Sequence, residues 1–262
     1  MMVHEVKKFT ILQVTEHGMS EFEDVVVREF PLTIIFNHQE LVTLLCTPKD
    51  LKHLAIGFLS SEGLIENKEE IRKITLDNRR GVVRVETEGD KGVATEPLFK
   101  RIITAGGGRR AAFYSAADIT NQARVESQIK ISTGEVFALA KEFQHRSQVY
   151  RATGGVHSAA LCDTKGILLF AEDIGRHNAI DKIFGECMLK DIPTDDRIII
   201  TSGRVSSEIL LKIAKRNIPL LISKSAPTDI AVDLAASLSV TLIGFVRGAK
   251  MNVYTEGWRC TA

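Results

Sequence analysis

No two cysteines lie close together in this chain. Its four cysteines are Cys46, Cys162, Cys187 and Cys260, each far from the next. That scatter excludes a CxxC motif, a zinc ribbon and a short-loop disulfide framework, and no metal site is expected. Excess charge is missing as well. Lys and Arg number 34 against 33 Asp and Glu, a net charge of +1. Such balance argues against a chain that grips nucleic acid or an anionic membrane through bulk charge. No run of about 18 apolar residues is present, as a membrane-crossing helix would need. Residues 1–10 lack the apolar stretch of a signal peptide. With scattered cysteines and no signal, the expected compartment is the reducing cytoplasm. Repeats and low-complexity tracts are absent too.

What is there is an ordinary globular mix, 44% hydrophobic and 26% charged over 262 residues. That is enough chain for one or two domains with a real core. The first third reads as strands with one helix. Leu32–Phe36 and Leu41–Cys46 flank Asn37-His38-Gln39-Glu40 as a hairpin, and Ile71–Leu76 with Val82–Thr87 form a second. Between them Leu51, Leu54, Ala55, Phe58 and Leu59 make one helical stripe, with Thr47 as the expected cap, Pro48 in the first helical position and Gly63 as the stop. Ser115–Lys130 is weakly patterned and reads as a connection. Ser132-Thr133-Gly134-Glu135 is a capping box that opens a helix. From Thr153 onward strands alternate with helices of about a dozen residues, the sign of a parallel sheet with helical crossovers. The expected division is a β-rich region over 1–130, carrying a glycine-rich loop, and an α/β core over 131–262.

In an open α/β sheet, ligands sit beyond the carboxyl ends of the strands. Three late strands end in Ser202-Gly203-Arg204, in Lys224-Ser225-Ala226-Pro227-Thr228 and in Arg247-Gly248-Ala249-Lys250. Glycine lets backbone N–H groups approach a ligand, and Arg can hold phosphate with two hydrogen bonds. Turns after strands also use Gly, Pro and Ser for geometric reasons alone. One such loop says little, while three on one edge point to an anionic ligand.

His157, Asp173 and His177 are plausible metal or catalytic residue types. Each also has a plain structural role open to it, as a satisfied hydrogen-bonder or helix cap. A zinc deaminase is unsupported, because no HxE followed by PCxxC occurs. The loop Thr104-Ala105-Gly106-Gly107-Gly108-Arg109-Arg110 lacks the GK[ST] of a P-loop. Gly106, Gly108 and Ala111 fit a looser dinucleotide spacing without its strand–helix context. Cys46, Cys162 and Cys187 sit in apolar runs as inert core residues. Cys260 lies near the end of the chain, exposed on this reading, beside the cation of Arg259, which would favour its thiolate.

Several of these strings together resemble one family, the formate dehydrogenase accessory sulfurtransferases (FdhD). The strings are Pro31-Leu32-Thr33-Ile34, Leu44-Leu45-Cys46-Thr47-Pro48, Leu54–Gly63, Thr153-Gly154-Gly155-Val156-His157, Glu172–Ala179 with Arg176 and His177, Thr201-Ser202-Gly203-Arg204, Ser225-Ala226-Pro227-Thr228 and Gly244-Phe245-Val246-Arg247-Gly248. They keep the family's order from about Glu29 to Tyr254. The resemblance implies a cytidine-deaminase-like three-layer α/β core without the zinc site, preceded by a smaller β-containing region, and a homodimer. It implies passage of sulfur from a cysteine desulfurase, through a cysteine persulfide, to the bis-guanine-dinucleotide molybdenum cofactor of formate dehydrogenase. It assigns Phe245, Val246, Arg247, Gly248, Ala249 and Lys250 to the cofactor, with a GDP-like nucleotide as the anionic end. In one respect the chain departs from the family. The reactive cysteine belongs in the glycine-rich loop, and the best correspondence puts Gly107 there, so the catalytic residue is unknown. The alternative is a relative that binds the cofactor as a chaperone without transferring sulfur.

Overall fold

The computed structural model describes residues 5–88, 102–103 and 123–262. The chain opens with a ribbon that the sequence pattern does not announce: β1 (Val6–Thr15) and β2 (Gly18–Val27) pair antiparallel over their whole length. Next come β3 (Phe30–Phe36) and β4 (Gln39–Cys46), the expected first hairpin. Its turn tightens to Asn37-His38, both at positive φ, with 44° and 67°. Helix α1 (Leu51–Ser61) buries the predicted stripe. The second hairpin is β5 (Ile71–Asp77) with β6 (Val82–Thr87). Together with β7 (Ile102–Ile103) these strands form a five-stranded sheet, in the order β5-β6-β3-β4-β7.

After a short strand, β8 (Ile131–Ser132), come α2 (Thr133–Arg146) and α3 (Gln148–Thr153), the latter unforeseen. The capping box holds as expected: Ser132 Oγ accepts the Glu135 N–H, and the Glu135 carboxylate accepts the Ser132 N–H at 2.7 Å. The remaining elements are β9 (His157–Cys162), β10 (Ile167–Asp173), α4 (Arg176–Leu189), β11 (Ile198–Thr201), α5 (Ser207–Lys215), β12 (Leu220–Ser223), α6 (Asp229–Ser237), β13 (Thr241–Arg247), β14 (Lys250–Val253) and β15 (Cys260–Thr261). Six of these strands make a second sheet in the order β10-β9-β11-β12-β13-β14. Only β11, β12 and β13 are parallel to one another. The expected parallel sheet is therefore a mixed one, because hairpins add antiparallel strands at both sides.

This sheet is covered on both faces. Alternating residues place Ala159, Leu161, Ile199, Leu221 and Leu242 against α4, α5 and α6. Their neighbours Ala160, Ile198, Ile200, Ile222 and Ile243 face α2 through Val136, Leu139 and Phe143. Period-two alternation with both faces apolar is what a central sheet requires. Val125, in the weakly patterned stretch, joins the first of these clusters.

The small sheet reaches the large one through a helix crossing. Gly57 of α1 lies against the backbone of α4, where a Cβ would come within 1.7 Å of the Asp181 carbonyl oxygen. Gly185 of α4 answers it, with the His53 carbonyl oxygen 1.9 Å from any Cβ. Only glycine permits that approach at either position.

Candidate functional site

The carboxyl ends of β11, β12 and β13 meet the start of β9 around a cavity of about 540 Å³. Its walls include His157, Ser202, Lys224, Ser225 and Arg247 from the sheet, and Gln144 and Tyr150 from α2 and α3. Three backbone hydrogen bonds hold these ends in place. Lys224 N–H donates to the Thr201 oxygen at 3.1 Å, Ser202 N–H to the Ser158 oxygen at 3.0 Å, and Phe245 N–H to the Ser225 oxygen at 3.1 Å. Ser202 Oγ accepts the Ser158 N–H at 2.9 Å and lies 3.4 Å from His157 Nδ1. Ser225 N–H is held by Ser223 Oγ at 2.9 Å.

Two cations share one corner. Arg247 Nε donates to the Lys224 carbonyl oxygen at 3.4 Å, and its guanidinium lies 5.7 Å from the centre of the Phe245 ring. Phe245 takes a positive φ of 53° at a bulge in the β13–β14 pairing. Lys224 Nζ donates to Gln144 Oε1 at 2.9 Å. Burial, and then the nearby Arg247 charge, lower the Lys224 pKa. A second cavity of about 610 Å³ opens on the far side of the same Lys224, Arg247 and Gln144. Two cations without a carboxylate partner among the described residues, set beside Ser hydroxyls, are suited to an anion.

His157 is half-buried, and its pKa is lowered by desolvation and then by the Arg176 cation. Arg176 packs over Gly203, where a Cβ would stand 2.9 Å from the Arg176 Cβ. Desolvation and the Arg176 cation both favour the uncharged imidazole, and the facing Asp173 carboxylate opposes them. Tyr150 is placed by Glu172, whose carboxylate accepts the N–H groups of Val149 and Tyr150 at 3.2 and 3.1 Å. Burial raises the Glu172 pKa, and these backbone bonds oppose the rise.

The predicted residues divide accordingly. Ser202, Ser225, Arg247 and His157 converge on the first cavity, and Val246 and Gly248 line the second. Ala249 and Lys250 form the exposed end of the β13–β14 hairpin, outside both linings. Arg204 is exposed and also outside them. Thr228 caps α6, its Oγ1 accepting the Ala231 N–H at 3.4 Å. Gly106, Gly107, Gly108, Arg109 and Arg110 lie outside the described residues. Lys224 was visible as a strand-end cation, whereas Gln144 and Tyr150 come from helices whose docking no local pattern announces.

His157 and Asp173 face each other across the β9–β10 pair, but with His177 they do not make a metal site. Asp173 is fully buried and spent on structure. It pairs with Lys182 at 2.8 Å and accepts hydrogen bonds from Thr47 N–H and Oγ1, Gly175 N–H and Asn178 Nδ2. This also corrects the expected cap of α1. Thr47 is drawn to Asp173, and Asp50 takes the N-cap position at a φ of 54° without a side-chain bond. His177 is buried with its Nε2 3.1 Å from Glu208. Among the described residues no three His, Cys, Asp or Glu side chains could hold a metal ion together.

None of the cysteines is poised to react. Burial drives the Cys46 thiol pKa far upward, and the thiol donates to the Phe30 carbonyl oxygen at 3.4 Å. Cys162 and Cys187 are each pushed up to about 12, chiefly by burial. Cys260 is not the exposed, cation-activated thiol expected. It is half-buried in β15, and desolvation raises its pKa. Arg259 turns instead into the protein, donating to the carbonyl oxygens of Ser127 and Ser239.

Residues 27–261 match the FdhD/NarQ family model. The chain is 46% identical over 238 residues to the sulfur carrier protein FdhD of Bacillus subtilis (strain 168), covering 91% of each chain. It is 44% identical over 255 residues to that of Bacillus pumilus (strain SAFR-032), covering 97% of each. Its fold is similar to the crystal structure of a candidate formate dehydrogenase accessory protein from Desulfotalea psychrophila, with a TM-score of 0.81 at 24% identity over 98% of this chain and 99% of the other. Among the described residues no helix is long and apolar enough to cross a membrane.

Proposed function

The chain belongs to the FdhD/NarQ family, and from that premise we propose that it acts as a sulfur carrier required for formate dehydrogenase activity. In this reading it receives sulfur from a cysteine desulfurase in the cytoplasm and passes it to the bis-guanine-dinucleotide molybdenum cofactor bound for formate dehydrogenase. The cofactor is its cargo, and the working form is a homodimer. The three-layer core is of the cytidine-deaminase-like kind without a zinc site.

One observation carries the cargo assignment. Lys224 and Arg247 share a corner of a cavity whose other polar side chains include Ser202, Ser225 and His157, with Gln144, Ser147 and Ser158 beside them. Cations and hydroxyls are the partners that phosphate oxygens need. Tyr150 and Phe143 also line the cavity and offer aromatic surface to a flat base. A guanine nucleotide end, GDP-like in its chemistry, fits both halves. His157 adds a further hydrogen-bonding group to the same cavity.

A second reading, a cofactor chaperone that transfers no sulfur itself, is favoured by one specific finding. All four cysteine thiols have raised pKa values, whereas persulfide chemistry begins from a thiolate. Incubation with a cysteine desulfurase and cysteine, followed by mass spectrometry of the intact protein, separates the two. The sulfur-carrier reading expects an adduct of about 32 daltons, one sulfur atom on a cysteine. Absence of any adduct leaves the chaperone reading.

A further inference from the structure

The β1–β2 ribbon contributes no lining residue to the cavities above, and its surface is unusual. Of the twelve exposed large hydrophobic side chains among the described residues, seven lie on it: Phe9, Ile11, Leu12, Val14, Met19, Phe22 and Val26. Opposed residues of an antiparallel pair share a face. The pairs Lys7↔Val26, Phe9↔Asp24 and Ile11↔Phe22 therefore set Phe9, Ile11, Phe22 and Val26 together on one side. Leu12↔Glu21 and Val14↔Met19 put Leu12, Val14 and Met19 on the other. Both faces carry apolar side chains, the first between root and middle and the second toward the tip, so a surface that leaned on one side alone would leave the other in water.

At its root the ribbon is anchored. Val27 packs over Gly155, where a Cβ would lie 2.7 Å from its Cγ1, and Arg28 N–H donates to the Glu5 carbonyl oxygen at 2.8 Å. Beyond the root the two strands pair only with each other. A two-stranded ribbon by itself is marginal in water, and an exposed apolar patch of this kind marks an interaction surface.

We propose that the ribbon is an arm that clasps a second copy of this chain, each protomer's arm lying against its partner. Three points select that occupant. First, a marginal ribbon needs a cover that is always at hand, and another copy of the chain is present wherever the chain is. Second, the face bearing Phe9 and Phe22 carries one charge of each sign, Lys7 and Asp24, so two copies of it meet without net repulsion. Lys7 already lies 4.9 Å from the centre of the Phe9 ring. Third, the area suffices. Ten-residue strands span about 34 Å, and two of them are about 10 Å wide, so the two faces together offer on the order of 700 Å². With the partner surface they cover, that reaches the roughly 800 Å² per partner of a stable interface. The inference deepens the homodimer of the proposed function and rests on that reading only for the number of copies. Sulfur transfer and nucleotide binding do not enter it.

Sedimentation velocity on the full chain tests it, using wild type, the double variant Phe9→Glu/Phe22→Glu and the control Leu168→Glu, which alters an exposed apolar residue outside the ribbon. Wild type and control are expected to sediment as dimers. The double variant is expected to sediment as a monomer at the same concentration, its dissociation constant raised by about 100-fold or more, with an unchanged circular dichroism spectrum of the α/β core. Hydrogen exchange gives a second readout that does not depend on the variant folding. In wild type, the amides of β1 and β2 are expected to be protected at high protein concentration and to lose protection on dilution. A double variant that remains dimeric overturns the arm and leaves the homodimer standing elsewhere. A monomeric wild type overturns both, and ribbon protection that appears only when a different protein is added assigns the arm to that protein instead.

Discussion

Cys46 shows how little a residue type says without its surroundings. It sits at the end of β4, fully buried, with its thiol committed to the Phe30 carbonyl. Cys162 and Cys187, pushed up to about 12 chiefly by burial, stay protonated at pH 8. Raising the pH toward 12 would expose them only by ionisation or unfolding, since burial disfavours the charged form. In the native protein at pH 8, an aromatic disulfide reagent is expected to titrate at most the half-buried Cys260 within minutes. All four thiols should react once the chain is denatured. Fast native reaction of more than one thiol contradicts the burial of the other three.

At the scale of elements, the crossing of α1 and α4 is the most demanding fit. Gly57 and Gly185 each meet a carbonyl oxygen closer than any Cβ can tolerate. Beside them Asp181 forms a fully buried pair with Lys212 and accepts a hydrogen bond from Ser61 at 2.7 Å. The helices cannot move apart without disturbing that network. Gly57→Ala is expected to destabilise the protein by at least about 3 kcal/mol. In thermal unfolding, that corresponds to a drop in Tm on the order of 10 °C. A shift of less than about 2 °C means that the helices do not cross this closely.

The elements also show what a single sequence makes legible. Strong periodicity made α1, the two N-terminal hairpins and the late strand–helix alternation readable, and local chemistry made the Ser132–Glu135 capping box readable. The convergence of Ser202, Ser225 and Arg247 on one cavity was legible because the ends of β11, β12 and β13 share one edge of the sheet. Thr228 and Thr47 look equally suitable as local signals, but tertiary context spends them differently, one on a cap and one on Asp173. The ribbon escaped notice because its apolar residues fall on both faces, which erases the alternation that marks a half-buried strand. Gln144 and Tyr150 reach the cavity through long-range docking of α2 and α3, and short windows carry no trace of that.

For the whole molecule, Asp173 joins the two sheets. It ends β10 of the large sheet, pairs with Lys182 of α4 and receives Thr47 from the segment after β4. One residue further, Ile174 lines the first cavity. The small sheet is therefore tied to the rim of that cavity through a fully buried ion pair. Buried pairs of this kind are costly to break from one side, because the remaining charge loses its partner. The first cavity, with its cations at the parallel strand ends, is the place where the proposed function either holds or fails.

Isothermal titration calorimetry with GDP tests that cavity most directly, comparing wild type with Arg247→Ala. Wild type is expected to bind one nucleotide per protomer. Truncating Arg247 removes charge-assisted hydrogen bonds worth about 1.5–3 kcal/mol, so affinity should fall by about 10- to 100-fold. Equal affinity in the two proteins, or no binding by wild type, contradicts the assignment of this cavity to the nucleotide end of the cofactor.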